Sequence, residues 1–240
     1  MGMHNFSALS ANAIVLLYLQ APEAASAACA RVETQLSPQE QDRASHFRFQ
    51  RDRNAFVAAH GLLRFALRQV TGRADWSFDA GPNGKPVLAA GEGAVVPHFN
   101  ITHTPGLAAC GLTLAGPIGV DAELRGRAVD VAGVVERCFT PEERRRVEAA
   151  GPEGNQRFIE LWTLKEAVAK ALGHGLAMDL RSFSVTTDPC AVCFEGRPDP
   201  SWRLSLTTLP RHCLSVACKP EEGAIARFEW REISWDELHD

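Results

Sequence analysis

Residues 157–176, RFIELWTLKEAVAKALGHGL, constrain this chain more than any other stretch. Apolar side chains recur at Phe158, Ile159, Leu161, Trp162, Leu164, Ala167, Val168, Ala171 and Leu172. They cover most of a helix circumference rather than one stripe, which predicts a helix buried on more than one side. Gly173 and Gly175 supply its stop. The same helix carries Lys165, Glu166 and Lys170, and ions on a buried element are costly unless paired or in use. Trp162, Glu166 and Lys170 are spaced i, i+4, i+8 and share one face. Taken alone, Glu166 and Lys170 read equally well as a helical ion pair and as part of a site.

The rest of the composition sets bounds. A chain of 240 residues accommodates one large domain or two of about 120. With 45% apolar and 22% charged residues it has an ordinary globular make-up. A net charge of −4 gives no general reason to expect nucleic acid or an anionic membrane as partner. The apolar run 13–19 is too short to span a bilayer, and no Lys or Arg precedes it. The seven cysteines, without a secretory signal, point to free thiols in a reducing cytoplasm. Cys190, Cys193, Cys213 and Cys218 lack the spacing of a zinc site, and HCLSVAC (212–218) alternates like a strand.

In chain order, 13–19 reads as a buried strand and 24–32 as a helix. Ser37-Pro38-Gln39-Glu40 is a helix start with an N-cap Ser, Pro at N1 and Glu at N3. Residues 41–54 are dense in arginine (Arg43, Arg48, Arg51, Arg53), and 55–70 follow as an amphipathic helix with Arg64 and Arg68. These arginines are either solvated helix faces or a local anion site. A turn-rich loop holds Lys85 beside Pro86. In PHFNITHTP (97–105) apolar and polar residues alternate, which places His103 at a strand end. Residues 107–114 and 118–124 read as two adjacent strands around a turn at Gly116-Pro117. In the second, Asp121 and Glu123 share one face. Two such carboxylates suit either a solvated edge strand or a divalent cation. Residues 131–139 are helical, Thr140-Pro141-Glu142-Glu143 opens another helix, 151–155 is a loop, and five strand-like runs follow the central helix.

Together these residues supply carboxylates for Mg²⁺ and cations for phosphates, the equipment of an enzyme that moves or cleaves a phosphate-bearing group. Five segments, in order, resemble the 4′-phosphopantetheinyl transferases of the two-lobed surfactin type. They are Gly84-Lys85-Pro86, Phe99-Asn100-Ile101-Thr102-His103-Thr104, Ile118-Gly119-Val120-Asp121-Ala122-Glu123, Phe139-Thr140-Pro141-Glu142-Glu143, and Leu161-Trp162-Thr163-Leu164-Lys165-Glu166-Ala167 with Lys170, Gly173, Gly175 and Leu176.

The resemblance implies an α+β fold of two similar α/β lobes in pseudo-twofold arrangement. Each lobe is an antiparallel sheet packed on a long helix, and the active site lies in the cleft between them. Residues 1–115 would contact coenzyme A, and 116–240 would carry the metal-binding carboxylates and the catalytic helix. The implied reaction transfers the phosphopantetheine arm of coenzyme A to a serine of an apo acyl or peptidyl carrier protein domain of a fatty acid, polyketide or nonribosomal peptide synthase. Adenosine 3′,5′-bisphosphate is released. By position, Asp121, Glu123 and Glu166 are the expected Mg²⁺ ligands. Lys85, Pro86, Thr102, His103, Lys165 and Lys170 are the expected coenzyme A contacts, with Lys170 aiding the leaving group. Glu143 or Glu166 would deprotonate the serine. The family's arginines for the 3′-phosphate are replaced here by Ala55 and His60, so Arg43, Arg51, Arg53 or Arg64 is expected to take that contact, or His60 in part. The protein is expected to be a cytoplasmic monomer. A Mg²⁺-dependent nucleotide phosphohydrolase and a catalytically idle coenzyme A- or carrier-binding module are the rival readings.

Overall fold

The computed structural model describes residues 13–73, 76–81, 86–88, 97–126, 131–173, 178–221 and 227–238. In chain order the elements are β1 (Ala13–Gln20), α1 (Ala27–Glu33), α2 (Pro38–Ser45), α3 (Gln50–Thr71), β2 (Phe78–Ala80), β3 (Pro86–Leu88), β4 (His98–Thr104), β5 (Leu107–Thr113) and β6 (Ile118–Leu124). Then come α4 (Val131–Cys138), α5 (Pro141–Ala149), α6 (Gly154–Ala171), β7 (Ser184–Thr187), β8 (Cys190–Phe194), β9 (Arg197–Pro198), β10 (Arg203–Thr208), β11 (His212–Cys218) and β12 (Arg227–Glu232). The chain divides into two compact units, one of Met1–Ala115 with Ala226–Asp240, the other Gly116–Ile225.

The first unit is built on a four-stranded sheet in the order β12-β1-β5-β4. Its central strand β1 is the apolar run AIVLLYL, buried along most of its length. A strand so apolar needs a neighbour on each side. One is β5, antiparallel; the other is β12, parallel, with Leu16 opposite Trp230. Two expectations are corrected by this pairing. The sheet is mixed rather than antiparallel, and residues 226–240 belong to the first unit rather than to the second. The charged side chains Arg227, Glu229, Arg231 and Glu232 make β12 a suitable edge, because charge discourages pairing with a further strand. The helix α3 packs on this sheet and buries Phe56, Ala59, Leu63 and Leu67 in one core with Val15, Leu17 and Leu112. It starts at Gln50, so part of the arginine-rich segment is its first turns rather than a lead-in.

The second unit centres on a three-stranded antiparallel sheet, β10-β11-β6. Its helix α6 packs on β6 and β11 and is the predicted buried helix, set in a core with Phe139, Phe183, Val185 and Trp202. It ends at Ala171, and Gly173 at φ 79° supplies the left-handed residue after its cap. The start comes at Gly154, inside the expected loop. The expected pairing of 107–114 with 118–124 is a further correction, since β5 pairs with β1 and β4 whereas β6 pairs with β11. Between them Gly116 adopts φ 149°, open to glycine. All seven cysteines are free, with Cys190 and Cys193 in β8 and Cys213 and Cys218 in β11. Among the described residues no helix is long and apolar enough to cross a membrane.

Candidate functional site

The site begins with a glycine. A Cβ on Gly119 would lie 2.0 Å from the Ala167 carbonyl oxygen and 2.4 Å from the Ala171 nitrogen. Only glycine lets the α6 backbone come so close to β6. From that contact the two elements run side by side. Asp121 and Glu123 follow Gly119 at two-residue steps on one strand face, and Lys170, Glu166 and Trp162 follow at four-residue steps on one helix face. The Lys170 ammonium donates to Asp121 Oδ1 at 2.6 Å and to the Val120 carbonyl at 3.0 Å. The Trp162 indole donates to Glu123 Oε1 at 3.2 Å. Although β6 is an edge strand of its sheet, Asp121 is only 5% exposed, because α6 covers it.

Two oxygens in this array lack a partner. Asp121 Oδ2 and Glu166 Oε1 are both buried and accept no hydrogen bond, an expensive arrangement for carboxylates. Burial, then the charge of Asp121, and to a lesser extent that of Glu123, push the Glu166 carboxyl up to about 7 against the pull of Lys170. Anionic oxygens left without donors fit a divalent cation, which prefers oxygen ligands and completes its shell with water or substrate phosphate. Among the described residues no three His, Cys, Asp or Glu side chains form a metal-holding group. Asp121 is held by Lys170, and Glu123 by Trp162.

Lys165 and Glu143 have a different setting from the one expected. Lys165 is 0% exposed, and its ammonium donates to both Glu143 oxygens at 2.9 Å and to the Phe183 carbonyl at 2.8 Å. Glu143 also closes the capping box of α5 with Thr140 and accepts from the Val185 backbone. Burial pushes the Lys165 ammonium down from its ordinary value, and Glu143 opposes the shift. Each group satisfies the other deep inside the unit.

His60 meets the same fate in the first unit. It is 3% exposed, with Nδ1 2.7 Å from Glu40 Oε1. Glu40 closes the capping box of α2 with Ser37 and also accepts from Arg64 at 2.6 Å. Burial raises the Glu40 carboxyl, but the hydrogen bonds and charges of His60 and Arg64 outweigh it and hold it down to about 2. His60 is therefore engaged by Glu40 inside the unit. Arg53 is held by Glu33 at 2.7 Å.

Arg43 and His103 do come together. The Arg43 guanidinium sits 5.3 Å from the centre of the Phe56 ring. His103, exposed near the end of β4, meets Phe56 and Phe47 edge-on at 6.0 and 6.4 Å. A concavity of about 250 Å³ is lined by Arg43, His46 and Phe47. Thr102, by contrast, is buried on the opposite face of β4 from His103, and Pro86 is buried at the start of β3. Lys85 lies outside the described residues, as do Gly84, Gly175 and Leu176.

Sequence reasoning missed the parts played by Gly119 and Trp162. A glycine inside a strand pattern was the available signal for the first. For the second the signal was the i, i+4, i+8 spacing that puts Trp162 on the face of Glu166 and Lys170.

The second unit is thus an α+β arrangement in which a strand and a helix bring carboxylates and a lysine together. The particular family follows from comparison with known proteins. The family model for the 4′-phosphopantetheinyl transferase superfamily matches residues 117–217. The 4′-phosphopantetheinyl transferase HetI of Nostoc sp. is 30% identical over 208 residues, covering 83% of this chain and 82% of its own. A 4′-phosphopantetheinyl transferase of Bacillus subtilis is 30% identical over 161 residues, covering 65% of this chain and 68% of its own. The human L-aminoadipate-semialdehyde dehydrogenase-phosphopantetheinyl transferase is 24% identical over 213 residues, covering 79% and 69%. This chain belongs to the 4′-phosphopantetheinyl transferase superfamily.

Proposed function

We propose that the protein transfers the 4′-phosphopantetheine arm of coenzyme A to a serine hydroxyl of an apo carrier protein, with release of adenosine 3′,5′-bisphosphate. The observation that carries this reading is the pair of buried, unpartnered oxygens, Asp121 Oδ2 and Glu166 Oε1, beside the Lys170 ammonium. Asp121 and Glu166 would hold Mg²⁺, with Glu123 close enough to add its charge. The cation, when bound, neutralises charge on the pyrophosphate. The chain's own residues do the rest. Lys170 supplies a positive charge at the phosphates. Glu166 is the carboxylate of this array that we assign to take the serine proton. Arg43 and His103 are the groups we assign to the nucleotide end, on the strength of their shared contact with Phe56. The free thiols fit a cytoplasmic protein, and the reading is of a monomer. The acceptor class is an acyl or peptidyl carrier domain.

The test is direct. Protein, coenzyme A, Mg²⁺ and a panel of apo carrier proteins are incubated, and intact-mass spectrometry follows the carrier. A gain equal to the phosphopantetheine arm is expected. Absence of the gain on every carrier would overturn the reading, and phosphate release without a carrier would point to the hydrolase instead.

A further inference from the structure

The first unit holds a cavity that the transfer reading leaves unused. Its volume is about 450 Å³, an ordinary size for a small-molecule site. On α3, Gly61, Arg64, Phe65 and Arg68 line it at i, i+3, i+4 and i+7, so they share one helix face. Phe56, which meets Arg43 and His103, lies five positions before Gly61, about 140° around the helix. The cavity therefore lies on a different face of α3 from the groups assigned to the nucleotide end. It shares no lining residue with the concavity at Arg43.

The two arginines of this cavity differ. Arg64 is engaged by Glu40 at 2.6 Å. Among the described residues Arg68 has no such carboxylate; its Nη2 is buried and donates to no acceptor, while its guanidinium lies 5.9 Å from the centre of the Phe65 ring. No Asp or Glu lines the cavity among the described residues. A guanidinium partly withdrawn from water without a counter-charge is unfavourable, and its planar fork matches a carboxylate. The lining also offers flat apolar surface. Trp76 is 8% exposed, and its indole N–H already donates to the Arg73 carbonyl at 2.9 Å. What remains for a ligand is the ring itself, with Phe65 and Leu36 beside it in the lining. We propose that this cavity binds a small aromatic carboxylate, the carboxylate on the Arg68 guanidinium and the ring against Phe65 and Trp76. The site is separate from that of coenzyme A, and the proposal does not depend on the transfer reaction.

Calorimetric titration of the full chain with sodium benzoate tests this. Benzyl alcohol and inorganic phosphate, at equal ionic strength, serve as the neutral and the non-aromatic probe. Benzoate should saturate one site with a Kd of about 1 mM or below, the range for a ligand of its size. The other two should bind at least about tenfold more weakly, since each lacks one half of the recognition. Coenzyme A should not displace benzoate. Arg68→Met, which keeps the apolar stem, should weaken benzoate binding about tenfold or more, and Arg68→Lys, which keeps the charge without the fork, by less. Arg43→Met should bind benzoate as wild type does. Thermal melts without ligand establish that each variant is folded, and the arms on wild type stand whatever the variants' stability. Absence of saturable benzoate binding overturns the site. Equal binding of phosphate or benzyl alcohol overturns the ligand class, and undiminished binding in Arg68→Met overturns the role of that arginine. Displacement by coenzyme A, or loss of binding in Arg43→Met, would place benzoate at the nucleotide end and refute a separate site.

Discussion

The two units solve one problem in the same way and then part company. In each, a short helix opens with Ser/Thr-Pro-x-Glu, and the capping-box glutamate, Glu40 or Glu143, is buried against the long helix that follows. On α3 its partners are His60 and Arg64; on α6 its partner is Lys165. These are structural pins, in which every charge has its counter-charge. Only α6 goes one residue further. Glu166 follows the pinned Lys165, turns to Asp121, and leaves oxygens with no donor. The difference separates structure from function on a single helix, since the pin is saturated and the site is not. A lysine and a carboxylate do not by themselves distinguish the two; the number of partners each has does.

The sharpest way to break the comparison is to remove half of a pin. Lys165→Met leaves Glu143 buried without its cation, and the second unit should lose about 3–5 kcal/mol of stability, read from urea unfolding. Pairing it with Glu143→Leu should recover part of that loss, because the unpaired buried charge is removed while the capping box and the Val185 hydrogen bond are still lost. A stable single variant would mean the pin is not structural. Asp121→Ala should do the reverse. Transfer to an apo carrier should fall by about 10²–10³-fold, in the range found for removing one electrostatic stabiliser, while the melt stays near wild type. Full activity would remove Asp121 from the site. Gly119→Ala forces a methyl group against the α6 backbone, and such overpacking costs about 1–3 kcal/mol. The α6 residues should shift away from β6, so Mn²⁺ affinity should fall along with stability. A fall in stability alone would show that the close approach does not set the site.

The smallest expected effect concerns pH. The Glu40 carboxyl is held below its ordinary value of 4.5, at about 2. A depressed carboxylate stabilises fully above its unfolded-state value and loses that contribution as pH falls through the folded one. Stability of the first unit should therefore decline between about pH 4.5 and 2, by about 1–3 kcal/mol. Glu40→Gln should flatten that part of the profile. An unchanged slope would show that the acid sensitivity lies elsewhere.

Much of the frame was legible in the sequence. The two capping starts at Ser37 and Thr140, the buried strand at 13–19, the long helices and the β6 face carrying Asp121 and Glu123 all follow from local periodicity and turn chemistry. What the sequence hid depends on long-range pairing. The strand β12 reads as an isolated charged segment, and nothing local says that it joins β1, more than 200 residues earlier. The strands β5 and β6, adjacent along the chain, lie in different sheets. The fates of Lys165 and His60 were hidden for a related reason. A cation on a helix next to a family motif reads as a ligand until the burial of its carboxylate partner is known. Glu143 and Glu40 each had a legible local task, the capping box, and their second task lies across space.

The pairing of β1 with β12 also orders events in time. A ribosome delivers residues 116–225 as one uninterrupted stretch, so every strand and helix of the second unit is available before β12 has been made. The first unit begins earlier but must wait, its central strand lacking one neighbour until residues 227–232 appear. The unit synthesised second is therefore the one able to fold first, and the nascent first unit carries an open apolar edge throughout its synthesis.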